Sequence, residues 1–478
     1  MSEIDKTTNN INKYPAEQYE YINLLRDVLQ EKYNRTPLAT VITYGCQQNV
    51  SDSERIKGML FKMGFDFTDD EEKSDFILFN TCAVREHAED RVFGNVGALK
   101  HYKRRNPDLI IGVCGCMAQQ QTVNERMKQS YPYVDLLFGT HVTYRLPEFL
   151  YKLFTKKERV FETSVENSEI IEDVPIKRDG TFKGWLPIMY GCNNFCTYCI
   201  VPYVRGRERS RDFSQILNEA EQMVNDGFKD ITLLGQNVNS YHSPQKDYDG
   251  SDVDFPQLLR KLNAIPGDFR IRFMTSHPKD CSLDLLYAMR ECDKVCKHLH
   301  LPFQSGSTEI LRRMNRRYTR EKYLELVKNA YSIVPGIALT SDIIVGFPGE
   351  TYEDFCETLS MVNEVKFTAL FTFIFSARNG TPAAAMEDPV SREEKGKWFR
   401  ELLKAQEKIS KENEKNLCGK KFRVLCDGLG RKEGTLTGHT DTNVCLEFLG
   451  DKSLIGSFAE VETSYVNGEV NAVLVKEK

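Results

Sequence analysis

The 478-residue sequence lacks long apolar runs, and none reaches the roughly 18 residues that a membrane-spanning helix requires, so we expect no such helix. Its polar first residues lack the basic stretch and the apolar core of a signal peptide, and we expect none. An excess of basic residues is also missing, because 64 Lys and Arg residues stand against 69 Asp and Glu residues. The resulting net charge of −5 gives no general sign of nucleic-acid binding.

Cysteine, by contrast, is abundant, with 14 residues. In a chain without an export signal this number indicates a reducing compartment, and we predict a cytoplasmic protein whose thiols bind metal or stay free. Hydrophobic residues make up 41% of the chain and charged residues 28%, which is typical of a globular protein. The length predicts about three domains.

The spacing of apolar residues predicts an α/β protein built from successive segments. Residues 1–36 form an extension with an amphipathic helix over 14–33. In residues 37–155, short apolar strands alternate with helices, which predicts a doubly wound parallel sheet. These strands are predicted at 38–44, 76–80, 109–113 and 134–138. Residues 156–183 are charged and without periodicity, and we expect a linker there.

The rest of the chain changes character once more. Residues 184–414 again alternate strand and helix, which predicts a partial (β/α)6 barrel of the TIM type, because a full eight-unit barrel usually needs about 250 residues. Its strands are predicted at 185–190, 230–234, 270–275, 297–301, 338–345 and 370–375. Residues 415–478 contain short strands separated by turns and predict a small all-β barrel, an architecture that often binds oligonucleotides.

Three cysteines stand close together in the central segment, and we name Cys192, Cys196 and Cys199 the loop cysteines. They follow Gly191 at spacings of four and three residues. Three thiolates can hold three irons of a 4Fe–4S cluster, and because the spacing supplies no fourth ligand, the last iron stays open for a small molecule. Ferredoxin sequences instead supply four cysteines per cluster. A zinc site with three cysteines and a distant fourth ligand is the alternative.

A second set, Cys46, Cys82 and Cys116, follows three successive predicted strands, and we name these the strand-end cysteines. They lie 36 and 34 residues apart. Because the carboxyl ends of parallel strands open on one edge of a sheet, we expect the three thiols to converge there. The alternative is that they are small buried hydrophobes. Cys114 would share the face of Cys116 on a strand, and we choose Cys116 because it lies beyond the strand.

Several stretches resemble the radical S-adenosylmethionine (SAM) methylthiotransferases, specifically the MiaB-type tRNA enzymes. The resemblance runs from residue 37 to the C-terminus and is carried by residues 43–49, 191–211, 233–241, 300–306 and 342–350. It implies a methylthiotransferase domain in the first segment, a radical SAM barrel in the second, and a C-terminal TRAM domain, an OB-like barrel that binds RNA in this family.

The resemblance also implies two 4Fe–4S clusters with different tasks. The loop cysteines would hold the radical-generating cluster, with SAM on its open iron, and the strand-end cysteines would hold an auxiliary cluster that supplies sulfur. With two SAM molecules, such an enzyme replaces the hydrogen on carbon 2 of isopentenyladenosine, next to the tRNA anticodon, by a methylthio group. Because an aromatic C–H bond is too inert for a side-chain acid or base, we assign no catalytic residue beyond the cluster ligands.

Further contacts follow from the same resemblance. The residues implied for SAM are Tyr198, Gln236, Asn237, Gln304, Ser305, Gly346 and Phe347. A capping pair is the alternative at 236–237, and a plain turn is the alternative at 346–350. The arginines that follow the loop cysteines would contact tRNA phosphates, with buried ion pairs as an equal alternative, and these are Arg205, Arg207, Arg209 and Arg211.

The implied partners are the anticodon stem-loop of tRNA, an electron donor such as flavodoxin or ferredoxin, and a system that supplies sulfur or clusters, with no membrane. Sister enzymes that modify threonylcarbamoyl-adenosine in tRNA or an aspartate of a ribosomal protein are competing interpretations, and residues 44–47 and 192–195 favour the isopentenyladenosine enzyme. A non-catalytic RNA-binding protein with structural metal sites is a more distant alternative. The chain departs from the family in the loop 376–381 and at His439, where an Arg is common.

Overall fold

The computed structural model describes residues 13–83, 86–165, 170–466 and 469–475. The chain forms two compact units. The first comprises the residues up to Asp179 together with Tyr190–Asn193 and Ile200–Arg209, and the second comprises Gly180–Met189, Asn194–Cys199 and the residues from Ser210 onward. None of the described helices is both long enough and apolar enough to cross a membrane.

The first unit is built on a parallel sheet. Its strands are β1 Leu38–Thr43, β2 Asp66–Phe67, β3 Phe76–Thr81, β4 Ile110–Gly115, β5 Leu136–Phe138 and β6 Val160–Glu162. Its helices are α1 Ala16–Lys32, α2 Gln47–Lys62, α3 Glu86–Ala98, α4 Lys100–Arg105, α5 Gln121–Ser130 and α6 Leu146–Lys156. The strands lie in the order β2-β1-β3-β4-β5-β6, so β2 is on one side of β1 and β3 with the later strands is on the other. This order confirms the doubly wound fold. Ligands of such folds bind at the carboxyl ends of the strands where the order changes, here between β1 and β3.

The sheet is covered on both faces. Alternate residues of β3 point to opposite sides. Phe76 and Leu78 pack in one apolar cluster, which also contains the buried face of α1, and Ile77 and Phe79 pack in another. Because both faces are buried, β3 is a continuous apolar run rather than an alternating one.

Two strands of this sheet were missed in the sequence. β2 is a two-residue strand, and β6 lies inside residues 156–183, where a linker was expected. The linker prediction is wrong for these residues, because Val160 pairs with Leu136 of β5. Strands of two and three residues at the edges of a sheet are too short to show a hydrophobic period.

Between Lys183 and Lys415 the chain alternates strands with helices. The strands are β7 Lys183–Pro187, β8 Met189–Tyr190, β9 Arg209–Ser210, β10 Asp230–Leu234, β11 Arg270–Phe273, β12 His298–His300, β13 Ala338–Val345 and β14 Ala369–Ile374. The helices are α7 Val201–Arg205, α8 Phe213–Asn225, α9 Phe255–Asn263, α10 Leu283–Glu291, α11 Thr308–Arg313, α12 Arg320–Ile333, α13 Tyr352–Val365 and α14 Arg392–Lys415.

The second unit contains the partial barrel. β7, β10 and β11 form one parallel sheet, and β12, β13 and β14 form another. A parallel bridge between Ile271 of β11 and Val295, just before β12, joins the two. The order β7-β10-β11-β12-β13-β14 is an open row of six parallel strands with helices between them, so the predicted (β/α)6 architecture is confirmed.

The second unit also contains a closed five-stranded barrel. Its strands are β15 Lys421–Leu429, β16 Thr435–His439, β17 Cys445–Leu449, β18 Phe458–Val466 and β19 Glu469–Leu474, in the order β15-β16-β17-β19-β18. Arg270 and Arg272 of β11 donate hydrogen bonds to the carbonyls of His439 and Thr440, both at 2.7 Å. The predicted small β barrel is confirmed, and these two arginines attach it to the parallel sheet.

Candidate functional site

The strand-end cysteines come together at one edge of the first unit's sheet. β1, β3 and β4 are neighbours, and Cys46, Cys82 and Cys116 follow their carboxyl ends. The Oδ1 atom of Asn49 lies 3.7 Å from Sγ of Cys46 and 3.9 Å from Sγ of Cys116. Cys82 adjoins Gly45 so closely that a Cβ atom on this glycine, whose φ is +113°, would lie 2.9 Å from the Cys82 sulfur. The structure therefore places the Cys46 and Cys116 thiols beside one amide oxygen and the Cys82 thiol beside Gly45 at the same edge of the sheet.

Asn49 was given no role from the sequence, although it lies within a stretch that carries the family resemblance. Its side chain is fully buried, and Nδ2 donates to the carbonyls of Tyr44 and Thr81, both at 2.9 Å. These two bonds fix the amide, so that Oδ1 faces the cysteines. A single sequence carries no signal that would distinguish this oxygen from that of any other helix-start asparagine.

Arg205 adds a buried positive charge to the same group. Its Nε donates to Sγ of Cys116 at 3.1 Å, and its Nη2 donates to Oδ1 of Asn49 and to Oδ2 of Asp52, both at 2.8 Å. The residue is 5% exposed. A guanidinium is always charged and presents several donors in a rigid fork, which suits a contact with three fixed acceptors.

The thiols influence one another electrostatically. Burial raises the pKa of the Cys116 thiol to about 12, the Arg205 guanidinium opposes this shift, and the Cys82 and Cys46 thiols reinforce it. Ionisation of the buried Cys116 thiol is therefore unfavourable without added positive charge. A bound metal supplies such charge and deprotonates a coordinating thiol outright.

Cys114 does not join this group. It packs in the apolar cluster with Phe76 and Leu136, whereas Cys116 packs with Ala83 and residues of α7. Cys116 lies beyond β4, which ends at Gly115, and the φ of +92° at Gly115 turns the chain out of the strand conformation. The choice of Cys116 over Cys114 agrees with this packing.

The loop cysteines are held by backbone hydrogen bonds. In the first unit, the N–H of Cys192 donates to the carbonyl of Gly206 at 3.2 Å. In the second unit, the N–H of Cys199 donates to the carbonyl of Cys196 at 2.9 Å. Cys196 is buried, while Cys192 and Cys199 are partly exposed.

A second buried arginine contacts a loop cysteine. Nη1 of Arg316 lies 3.6 Å from Sγ of Cys196, and its Nη2 donates to the carbonyl of Pro302 at 2.6 Å. Its Nε donates to the hydroxyl of Tyr318 at 3.1 Å. The guanidinium is therefore fixed in place, with one edge turned to the cysteine sulfur.

Two relatives decide which family this is. The tRNA-2-methylthio-N(6)-dimethylallyladenosine synthase of Thermoanaerobacter sp. (strain X514) is 51% identical over 440 residues, which cover 92% of this chain and 93% of the relative. The protein of the same name from Acetivibrio thermocellus is 49% identical over 473 residues, which cover 98% of each chain. The chain belongs to this synthase family.

Two family models match separate parts of this member of the synthase family. The model of the Radical SAM superfamily matches residues 186–362, which include the loop cysteines, and that of the Uncharacterized protein family UPF0004 matches residues 39–139, which include the strand-end cysteines. Among solved structures, the radical S-adenosylmethionine methyltransferase TsrM from Kitasatospora setae superposes with a TM-score of 0.53 at 15% identity. The match covers 73% of this chain and 77% of that chain, and it shows a shared fold.

The cysteine sets of this synthase family member fit iron–sulfur clusters in their donor chemistry, since thiolates are the usual ligands of such clusters. Within the described ranges, no three His, Cys, Asp or Glu side chains are grouped closely enough to hold a single metal ion. A single zinc ion and an iron–sulfur cluster require different arrangements of their ligands. The ligands of one zinc ion all contact the same atom, at about 2.3 Å for a thiolate, whereas the thiolates of a cluster bind separate irons.

The residues predicted to contact SAM fall into different environments. The Oε1 atom of Gln236 and the Oδ1 atom of Asn237 are buried and have no hydrogen-bond partner, which suits a ligand site. Gln304, in contrast, is tied into the sheet, because its N–H donates to the carbonyl of Asp342 at 2.9 Å. Tyr198 is half-buried and packs beside Phe347.

Three of the residues implied for SAM make contacts within the protein. Ser305 is fully buried, with its hydroxyl 3.5 Å from that of Thr358. The Phe347 side chain is also fully buried in an apolar cluster. The N–H groups of Gly346 and Phe347, two residues implied for SAM, both donate to the carboxylate of Glu350. Burial raises the pKa of Glu350 to about 8.

The four arginines predicted to bind RNA also differ from one another. Arg205 and Arg211 are buried and paired with Asp52 and Glu219, respectively, as in the alternative to an RNA contact. Arg211 donates to the carbonyl of Pro187 at 2.7 Å and pairs with Glu219 at 2.8 Å. Arg209 is half-buried and lines a cavity of about 100 Å³ in the first unit. Arg207 is exposed.

His439, at the position where an Arg is common in the family, has a structural role. Its Nδ1 pairs with the carboxylate of Asp427, which also pairs with Lys183 of β7. The bond with Asp427 raises the pKa of His439 to about 9. The imidazolium is thus part of an ion-pair network between the barrel and the parallel sheet of the second unit.

Proposed function

We propose that the chain catalyses the radical SAM-dependent methylthiolation of carbon 2 of isopentenyladenosine next to the anticodon in tRNA, giving 2-methylthio-isopentenyladenosine. The observation that carries this proposal is the position of the strand-end cysteines at one edge of the parallel sheet, in a chain with a second three-cysteine loop. The names of the relatives favour this substrate over threonylcarbamoyl-adenosine and over an aspartate of a ribosomal protein.

Two 4Fe–4S clusters and SAM supply the chemistry when bound, with electron transfer to SAM at the loop cysteines and sulfur supply at the strand-end cysteines. The chain's own residues create the environment for these groups. Arg205 offsets the negative charge that the strand-end thiolates carry. Asn49 accepts a hydrogen bond from the guanidinium and so keeps it in contact with Cys116. Arg316 places a second fixed positive charge against Cys196.

The partners follow from this activity. The anticodon stem-loop of tRNA is the substrate, and an electron donor such as flavodoxin or ferredoxin would deliver the electron. A sulfur or cluster supply system would replace the sulfur that leaves with each product. The cytoplasm is the compartment that fits a tRNA substrate and cysteines that bind iron–sulfur clusters.

Two cysteine variants test the division of tasks. After anaerobic reconstitution, the wild type should bind about eight irons per chain, as two clusters require. Cys192→Ala should abolish the formation of 5′-deoxyadenosine from SAM, because the loop cysteines hold the cluster that reduces it. Cys46→Ala should retain this formation but yield no methylthio product on an anticodon stem-loop RNA, measured by mass spectrometry of its nucleosides.

Cys356→Ala is the matched control, because Cys356 is exposed and belongs to neither set. It should keep the iron content, SAM cleavage and product formation of the wild type. Stoichiometric zinc without iron would contradict the enzyme. Methylthio product at the wild-type rate from Cys46→Ala would contradict the assignment of the strand-end cysteines.

A further inference from the structure

A cysteine, a histidine and an aspartate lie side by side on the outside of the closed five-stranded barrel. His439 of β16 pairs with Cys445 of β17 in the antiparallel register, so the two side chains are direct neighbours on one face of the sheet. Leu446, the next residue of β17, packs in the barrel core, and Cys445 therefore faces outward. Nδ1 of His439 pairs with the carboxylate of Asp427 of β15. A thiol beside a base that a third group orients is an arrangement that activates a nucleophile.

Asp427 fixes the histidine and keeps it charged. Its carboxylate also accepts a hydrogen bond from the hydroxyl of Thr437 at 3.1 Å and pairs with Lys183 of β7. Burial would raise the pKa of Asp427, but the hydrogen bonds with His439 and Lys183 lower it to about 2. Hydrogen bonds with Asp427 and Cys445 in turn raise the pKa of His439 to about 9. The ring is therefore an imidazolium at neutral pH.

The Cys445 thiol is the second partner of this imidazolium. Because Asp427 occupies Nδ1, the hydrogen bond between the ring and Cys445 uses Nε2. Arg270 donates to the carbonyl of His439 at 2.7 Å and adds a further positive charge nearby. Cys445 is exposed, so a small reagent can reach its sulfur. A neighbouring cation favours the thiolate, which is the nucleophilic form of cysteine.

Other cysteines of the second unit lie in different environments. Cys281 and Cys296 are buried, and burial raises the pKa of each thiol to about 12, which keeps both protonated. Cys356 is exposed like Cys445, but its described side-chain hydrogen bond joins it to the hydroxyl of Tyr352 rather than to a histidine. Among these four described thiols, Cys445 alone combines an open surface with a charged proton donor.

An exposed thiol beside a charged proton donor is suited to exchange with a disulfide. We propose that Cys445 is a modification site at which this chain takes up a low-molecular-weight disulfide, R–S–S–R, as a mixed disulfide. The thiolate attacks one sulfur of the reagent, a bond forms between that sulfur and Sγ of Cys445, and the S–S bond of the reagent breaks. Nε2 of His439 gives its proton to the leaving thiolate, which departs as R–SH, and an excess of R–SH reverses the reaction. The bound group would lie beside the pair of Asp427 and Lys183 that joins the barrel to β7.

Reaction of the full-length holoenzyme with 2-hydroxyethyl disulfide tests this site. The reagent is small and uncharged, so surface charges do not steer it. The reaction is run anaerobically in mildly acidic buffer and stopped with acid, and mass spectrometry of peptides gives the rate of mixed-disulfide formation at Cys445 and at Cys356. Because each rate is read from its own peptide, reaction at other cysteines does not enter it. Cys356 is the internal control, since it is exposed without a histidine as its described partner.

We expect Cys445 to react about tenfold faster than Cys356. At about pH 6.5, an ordinary thiol is only about 1% ionised, so a thiol held as thiolate offers about a hundredfold more of the reactive form. A stabilised thiolate is a weaker nucleophile, and a Brønsted slope of about 0.5 removes about tenfold of this gain. In His439→Gln the cation is lost, and the rate at Cys445 should fall to within about twofold of that at Cys356. His439→Arg restores a positive charge that can pair with Asp427, and it should recover most of the rate.

Thermal unfolding shows whether each variant is folded, and an unchanged rate at Cys356 in the same sample is a second check. Equal rates at Cys445 and Cys356 in the wild type would overturn the site. A rate at Cys445 that stays at the wild-type value in His439→Gln would overturn the role of the imidazolium, as would a rate in His439→Arg as low as that in His439→Gln. None of these rates depends on RNA or on methylthio product, so the result is separate from that for the proposed function.

Discussion

Arg205→Met removes a guanidinium that contacts Cys116, Asn49 and Asp52 at 2.8–3.1 Å. Methionine keeps much of the length and apolar surface of the side chain but has no charge and no donor. After the substitution, the carboxylate of Asp52 no longer has the guanidinium as its counter-ion. It still accepts a hydrogen bond from the side-chain amide of Gln48 at 3.2 Å. The amide oxygen of Asn49 also loses a donor while it stays buried.

The size of the effect follows from the burial of the pair. Removing one partner of a buried ion pair costs about 3–5 kcal/mol, because the other charge is left without compensation. The side chain of Asp52 is 18% exposed, so water recovers part of this cost and we take the lower limit, about 3 kcal/mol. Since about 1.4 kcal/mol corresponds to a factor of ten, local opening should become roughly a hundredfold more frequent.

Hydrogen–deuterium exchange of the full-length, metal-free chain measures this opening. The metal-free chain is chosen because a bound cluster would add its own stabilisation. Peptides from α2 and α7, which contain Asp52 and Arg205, should exchange roughly a hundredfold faster in Arg205→Met. The double variant Arg205→Met/Asp52→Asn should recover much of the protection, because it removes both charges together.

Arg207→Met is the matched control, since Arg207 is exposed and lies two residues away. Its exchange in α2 should equal that of the wild type. Reconstituted Arg205→Met should also bind fewer irons, because the contact with Cys116 is lost. Unchanged exchange and unchanged iron in Arg205→Met, or a double variant no better than the single one, would refute the reasoning.

Two further predictions concern pH and backbone geometry. The bond with Asp427 raises the pKa of His439 from 6.5 to about 9, so its stabilising contribution is complete below pH 6.5 and is lost as the pH rises through 9. His439→Gln should therefore flatten the fall in stability over this range, measured by urea unfolding with Trp fluorescence, and a curve parallel to the wild type would contradict this. In Gly115→Ala the new Cβ would lie 2.4 Å from the carbonyl oxygen of Thr81, and we expect the loss of about four irons after reconstitution. Gly97→Ala, whose Cβ would meet nothing within 4 Å, should keep the full iron content, and full iron in Gly115→Ala would show that the turn is not required.

Most of the fold could be predicted because its strands are long enough to show a pattern. β1, β3, β10 and β13 are apolar runs between turns and helices, and the parallel sheets follow from the alternation of strand and helix. The strands that escaped prediction, β2, β6 and β9, have only two or three residues. Their pairing depends on a neighbouring strand that is distant in sequence, and no local period records it.

The candidate site was predictable where topology alone determines position. Residues at the ends of adjacent parallel strands must lie near one another, so the grouping of the strand-end cysteines followed from the strand assignment. The arginines of residues 205–211 are different, because they alternate along an irregular segment. Burial of Arg205 and Arg211 depends on contacts with Asp52 and Glu219, and the sequence offers no means of recognising these partners.

The buried polar atoms that follow β10 and β11 could not be found from the sequence for a related reason. A histidine after a strand can be a donor, an acceptor or a packed ring, and the choice depends on its hydrogen bonds. Only the contact of Nδ1 with the N–H of Lys279 shows that Nε2 is the donor without a partner. Sequence reasoning reached the neighbouring Asn237, because it ends a predicted strand, but could not tell which of its amide atoms is unoccupied.

The two buried arginines differ in a way that matches the two tasks. Arg205 contacts Cys116 but shares its charge with the carboxylate of Asp52, whereas the described partners of Arg316 other than Cys196 are the neutral Pro302 carbonyl and Tyr318 hydroxyl. A positive charge without a counter-ion favours the addition of an electron to a nearby cluster, and a charge that is already paired does so less. In the proposed division of tasks, the loop cysteines would hold the cluster that takes up an electron, and their environment favours this. The strand-end cysteines would hold the cluster that supplies sulfur, and their environment is more balanced.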